Sequence, residues 1–269
     1  MSLSISGKTA IVTGAARGIG LAIAHHFANR GANVMFADND EARLTEEVGA
    51  AAKEEGPIRC FGGDLSQKLT MANLLSATID AFDRVDILIN ASRGIVTSDP
   101  LNADDSTLDA MLRQNLYSPL RLSQMTARRM VAQAEKDGQT EGPVGSIVNI
   151  STLAARRAQP ELLAYSVAGA ALDQATRSLA VALAPERIRV NGIAIASVMS
   201  ASLQADLKEN PDWRSEIADK TPLGRIAAPS ELVDVAQFLA SEGAGFITGQ
   251  IVTVDGGRGL IDAIPVPAY

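Results

Sequence analysis

The chain has 269 residues, 46% of them hydrophobic, 20% charged and only 4% aromatic, which is an ordinary soluble globular composition. Its 24 lysines and arginines against 31 aspartates and glutamates leave a formal net charge of −7. That balance argues against a nucleic-acid partner, because gripping a phosphate backbone needs clustered basic groups that displace counterions. No run approaches the roughly 18 uninterrupted apolar residues of a bilayer span, and the amino terminus lacks a basic region followed by a hydrophobic stretch, so the chain reads as cytoplasmic with no membrane partner. Cys60 is the single cysteine and His25 and His26 are adjacent, so neither an internal disulfide nor a metal site is expected.

Taken in chain order, short apolar runs at 9–13, 33–37, 58–61, 87–90, 146–150, 189–195 and 250–254 read as seven strands. Ile87-Leu88-Ile89 and Ile147-Val148 do not alternate with polar residues, the mark of strands buried on both faces in a parallel sheet. Between the runs lie segments with apolar residues three and four apart, such as Leu21, Ile23, Ala24 and Phe27, or Leu108, Met111, Leu112 and Leu116. This alternation over residues 1–269 predicts one three-layer, doubly wound α/β domain of the Rossmann type with a mostly parallel seven-stranded sheet. Residues 134–145 read as a polar surface loop. Residues 197–224, after the sixth strand, lie where such sheets carry a substrate crevice, and they form either a lid or a fixed helical pair.

After the first strand comes Thr13-Gly14-Ala15-Ala16-Arg17-Gly18-Ile19-Gly20, leading into a helix. Glycines at 14, 18 and 20 let the backbone approach a pyrophosphate, whose charge the helix amino terminus favours. Asp38 closes the second strand, where a carboxylate accepts from the adenosine ribose and repels the extra phosphate of NADP, so NAD is the expected cofactor and NADP the less favoured one. Arg17 pulls the other way, either toward that phosphate or as an exposed loop charge. Asp64 and Leu65, after the third strand, point either to an adenine contact or to a helix cap by Asp64 or Ser66.

The glycine loop, Asp64-Leu65, Arg113-Gln114-Asn115-Leu116, the run Ile147 to Ser151, Tyr165 and Val254-Asp255-Gly256-Gly257 together resemble the short-chain dehydrogenase/reductase family along nearly the whole chain. The resemblance implies a nicotinamide-dependent oxidoreductase that interconverts an alcohol and a ketone or aldehyde on a small-molecule substrate, often as a homotetramer. It implies Tyr165 as the acid/base, with Asn115 on a water-mediated proton path. A serine thirteen residues before the tyrosine orients the substrate oxygen in that family. Here the count reaches Thr152, with Ser151 as the fallback.

The departures fall at one end of the sheet. A lysine is implied four residues after the tyrosine, and Gly169 stands there. The turn after the fourth strand, implied to be Asn-Asn-Ala-Gly, is Asn90-Ala91-Ser92-Arg93, and the Pro-Gly after the sixth is Ile195-Ala196. Asn90 and Ala91 remain expected cofactor contacts. A phenol with no cation beside it titrates near 10, leaving about one molecule in a thousand as phenolate at pH 7. Loss of the lysine therefore predicts impaired oxidation, by about 3–4 kcal/mol or a hundred- to thousandfold. Three readings follow for this end of the site. Arg93 substitutes for the lysine as Gly169 vacates space, Arg93 faces solvent, or the chain is a non-catalytic NAD-binding sensor or scaffold.

Overall fold

The computed structural model describes residues 2–52 and 56–262. Seven strands, β1 Thr9–Thr13, β2 Asn33–Asp38, β3 Ile58–Gly62, β4 Ile87–Asn90, β5 Gly145–Thr152, β6 Ile188–Ile195 and β7 Ile251–Val254, pair in the order β3-β2-β1-β4-β5-β6-β7. Every pairing is parallel, where the sequence pattern asked only for a mostly parallel sheet. Strand ends move by no more than two residues from the apolar runs, because burial on both faces is what those runs encode.

Helices cover both faces: α1 Gly18–Asn29, α2 Glu41–Val48, α3 Lys68–Phe82, α4 Thr107–Leu112, α5 Ser118–Lys136, α6 Leu163–Leu183, α7 Ala201–Glu209, α8 Trp213–Asp219 and α9 Ser230–Ala240. The pleat of β1 sorts them. Ala10 and Val12 pack with Phe27 of α1 and Leu232 and Leu239 of α9, while Ile11 points the other way, to Met71 and Leu74 of α3 and Leu122 and Met130 of α5. Full burial of such side chains contributes about 1.5–3 kcal/mol each, so alternation along one strand fixes which layer each helix joins. The chain leaves β1 and β4 toward opposite faces, and the crevice at their carboxyl ends is where an open α/β sheet binds its ligand.

One local reading changes. The loop expected over 134–145 starts later, because α5 runs to Lys136 and buries Gln133 and Ala134. A π-helical turn, Arg113–Tyr117, lies between α4 and α5. On α6, Ala164, Ala168 and Leu172 are buried within this chain. Segment 197–224 carries α7 and α8, and its ends are tied by Met199 N–H to the Ala227 carbonyl at 2.8 Å and by Arg258 Nη1 to Ser197 Oγ at 2.9 Å. Among the described residues no helix is long and apolar enough to cross a membrane.

Arg189, buried at the start of β6, donates to the carbonyls of Leu239, Ala240 and Ser241 at the end of α9, at 2.7, 3.4 and 3.0 Å. Desolvation pulls its guanidinium below the usual arginine range, but it satisfies the end of α9, where the Leu239 carbonyl also accepts from Ser146 Oγ at 3.0 Å. Arg189→Met should lower the unfolding free energy by about 3 kcal/mol, read from equilibrium urea unfolding.

Candidate active site

The glycine loop is built by contacts that exclude side chains. Gly14 has φ +67°, and a Cβ there would lie 2.8 Å from the Ser92 backbone and 2.9 Å from Ala91, so only glycine lets the β1 and β4 loops meet. A Cβ at Gly20 would overlap the backbone of Gly14, reaching its carbonyl carbon at 2.6 Å, so α1 starts tight against the loop. The residue before α1, Arg17, makes no side-chain cap, leaving the first-turn N–H groups of Gly18, Ile19 and Gly20 open to an anion.

Beside this loop, Asp38 is buried at the end of β2 and holds two backbone amides, Ala16 N–H on one carboxylate oxygen and Asp40 N–H on the other, both at 3.0 Å. Arg17 reaches Asp40 at 3.3 Å, with its side chain 62% exposed, so its charge already has a partner. Asp64 accepts from both the amide and the hydroxyl of Ser66, at 2.8 and 2.7 Å, which holds its carboxyl below the usual aspartate range. It makes a local turn, and neither it nor Ser66 caps α3, whose N-cap is Gln67. Leu65 is buried. Asp38, Asp64 and Leu65 line one cleft together with Thr13 and Asn90.

At the other end of that cleft, the Thr13 hydroxyl accepts the amides of Ala91 and Ser92, both at 3.1 Å. Asn90, buried, donates to Ser123 Oγ at 3.0 Å and to Asn149 Oδ1 at 2.8 Å. These bonds fix where the loop after β4 departs. Asn115, in the π turn, then clamps it further on: Gly94 N–H donates to Asn115 Oδ1 and Asn115 Nδ2 donates to the Gly94 carbonyl, both at 2.9 Å. Between the two anchors Arg93 turns inward, and its Nη1 donates to Tyr165 Oη at 3.0 Å. The structure thus overturns the solvent-facing reading of Arg93. Neither the π turn nor the Gly94 clamp was visible in the sequence; the only signal was a glycine directly after the arginine.

Tyr165 sits in the first turn of α6, 5% exposed, against Met111, Ala164 and Ala168. Residues 165, 169 and 173 share one helix face, which looks onto the end of β5. A Cβ at Gly169 would lie 2.7 Å from Thr152 Cγ2 and 3.4 Å from Ala155 Cβ, so the threonine methyl occupies the exit from that helix position. The Thr152 hydroxyl accepts Ala154 N–H at 3.1 Å and lines a small crevice with Tyr165, Arg93, Asn115 and Ser151. Ser151 donates to Asp173 Oδ1 at 2.5 Å, so its hydroxyl is committed to α6. Burial pushes the Asp173 carboxyl up, against the lowering effects of Ser151, Arg156 and Arg177.

A parallel doubly wound sheet, a glycine cradle at its switch point and a buried tyrosine at the same end call for comparison with known proteins. Residues 14–258 match the family model described as enoyl-(acyl carrier protein) reductase. The chain belongs to the short-chain dehydrogenase/reductase family. It is 30% identical over 263 residues to 2,3-dihydroxy-2,3-dihydro-p-cumate dehydrogenase of Pseudomonas putida, covering 97% of both chains. Two solved family members agree over almost their whole length. A gluconate 5-dehydrogenase of Burkholderia cenocepacia in complex with NADP and tartrate gives a TM-score of 0.85 at 26% identity, over 97% of this chain and 98% of that one. A 3-ketoacyl-(acyl-carrier-protein) reductase of Brucella melitensis complexed with NADH gives 0.84 at 28%, over 95% and 100%. Within the family, then, both nicotinamide cofactors occur on this frame.

Two expectations test the geometry. Asp173→Asn keeps an acceptor for Ser151 but removes the buried charge. Because the folded-state carboxyl is raised, the native form binds its proton more readily than the unfolded chain, so wild-type stability falls as pH rises out of the ordinary aspartate range. The variant should be the more stable protein at pH 7, with the difference shrinking as pH falls toward 4, measured by urea unfolding across pH. Second, Gly169→Ala gains about 1 kcal/mol of helix propensity but meets the stiff threonine methyl. It should destabilise the native chain and stabilise the Thr152→Ser background, which a double-mutant cycle reads directly.

Proposed function

We propose that the protein is an NAD-dependent oxidoreductase that interconverts an alcohol and a carbonyl compound, with Tyr165 as acid/base and Arg93 as the cation beside it. The observation that carries this reading is the 3.0 Å donation from Arg93 Nη1 to Tyr165 Oη. A guanidinium at hydrogen-bond distance stabilises negative charge as it develops on that oxygen during proton transfer, which is the task the family resemblance gives to a lysine at 169. Arginine presents a planar fork where lysine presents a point charge, and here it arrives from the loop after β4, while the Thr152 methyl fills the space beside Gly169.

The residues present fit a dinucleotide. The uncapped start of α1 offers Gly18, Ile19 and Gly20 N–H groups to a pyrophosphate, and the bare backbone at Gly14 and Gly20 gives it room. Asp38 keeps lone pairs for ribose hydroxyls, and the Arg17–Asp40 pair gives a 2′-phosphate little free positive charge. Both features favour NAD over NADP. Asp64, Leu65, Asn90 and Ala91 complete the walls. The cofactor, when bound, supplies or accepts the hydride.

Toward the substrate, Tyr165 donates its proton during carbonyl reduction and accepts one during alcohol oxidation. Thr152 directs its hydroxyl to the same oxygen, while Ser151 acts behind it through Asp173. Asn115 holds the Arg93–Gly94 segment and stands on the path by which Tyr165 exchanges protons with water. The exposed apolar face of Leu108, Tyr117, Leu163 and Val167 suits a helix-to-helix contact in a homotetramer. A second reading, a non-catalytic NAD-binding sensor or scaffold, rests on the clustering of sequence departures around Tyr165 while the glycine loop and Asp38 stay intact.

Arg93→Ala should reduce oxidation of uncharged alcohols about a hundredfold in kcat/KM, with reduction of the matching ketones affected far less, because a neutral phenol needs no cation to donate. Gly169→Lys should recover oxidation in the Arg93→Ala background only when Thr152→Ser accompanies it. NAD binding with no turnover on a broad alcohol and ketone panel, in wild type and in the lysine variants alike, would favour the scaffold reading.

A further inference from the structure

We propose that the site takes substrates with a carboxylate on the carbon next to the reacting one, that is, 2-oxo and 2-hydroxy acids, and that Arg93 reads this carboxylate. The proposal rests on the reading of Tyr165 as acid/base and gives that site its substrate class. Three observations support it. First, Arg93 is half-buried in the crevice, and among the described residues it makes no ion pair, its one side-chain hydrogen bond being to the neutral phenol of Tyr165. Second, no residue lining the crevice is acidic. The carboxylate behind its wall, Asp173, is occupied by Ser151 and Arg156. Third, among the described residues only Nη1 of the guanidinium is engaged, and the remaining donors of its fork suit a carboxylate.

The spacing agrees. In a 2-oxo acid the carbonyl oxygen and the nearer carboxylate oxygen lie roughly 3 Å apart by ordinary bond geometry. Nη1, already donating to Tyr165 Oη at 3.0 Å, holds the other donors of the same guanidinium beside the phenol. A substrate can therefore set its carbonyl oxygen on the phenol and its carboxylate on the guanidinium at once. A hydroxyl or carbonyl with no neighbouring anion leaves the partly desolvated cation without a counter-charge, and that cost is the source of selectivity.

The test compares short-chain 2-oxo acids with their methyl esters, in the reduction direction with NADH, and adds calorimetric titration of oxamate, a 2-oxo acid analogue, into the protein with NADH. Each acid should exceed its ester at least a hundredfold in kcat/KM. Arg93→Ala should bring the ratio within about threefold, with Arg93→Lys recovering part of it, and should weaken oxamate at least tenfold. Esters reduced as well as acids, with oxamate unbound, overturn the substrate class and leave the oxidoreductase reading standing. Oxamate bound through Arg93 with neither compound reduced supports the carboxylate site and overturns turnover. Oxamate affinity equal in wild type and Arg93→Ala overturns the proposal.

Discussion

The junction between the ends of β1 and β4 sets everything at this end of the molecule. Thr13 gives one hydroxyl to two amides of the neighbouring loop, at Ala91 and Ser92, and Gly14 removes the Cβ that would hold that loop away. The contact joins the nucleotide cradle to the loop that carries Arg93. A side chain at position 14 would push the Ser92 backbone outward and take the guanidinium away from Tyr165. The glycine loop and the Arg93–Tyr165 contact are therefore one mechanical unit, and both stand at the point where connections leave the sheet toward opposite faces.

Charge placement in the crevice follows from burial. Positive charge is brought in by Arg93 and held by backbone bonds on either side of it. Negative charge is kept one layer back, at Asp173, where Ser151 and Arg156 satisfy it and desolvation raises its carboxyl. Because the acid is engaged behind the wall, it does not neutralise the guanidinium at the phenol. Thr152 serves both regions: its hydroxyl faces the crevice, and its methyl closes the helix position from which another cation would emerge.

In the function proposed above, the residues at 93, 152 and 169 act as one exchange of parts. A cation delivered from α6 would need the threonine methyl to move, and the loop arginine would then crowd the same oxygen. Thr152 packs against the bare Gly169 while Arg93 reaches Tyr165 across the same crevice, which is why substituting them singly and together is more informative than any one change.

Much was readable from the chain alone. Strand positions came from apolar runs that only a doubly covered sheet tolerates, and the cradle from glycines between a strand and a helix with Asp38 downstream, because these are local patterns in which neighbouring residues state their own geometry. The sequence also marked Tyr165, Thr152 and the absence of lysine at 169. What it left open was whether Arg93 faces solvent or phenol, whether Ser151 or Thr152 is free, and what Asn115 holds. Those depend on bonds between residues far apart in the chain, Arg93 with Tyr165, Ser151 with Asp173, Gly94 with Asn115. A side chain's partner is chosen by which surfaces the packed layers bring together, and that choice exists only once the sheet and its helices have closed around it.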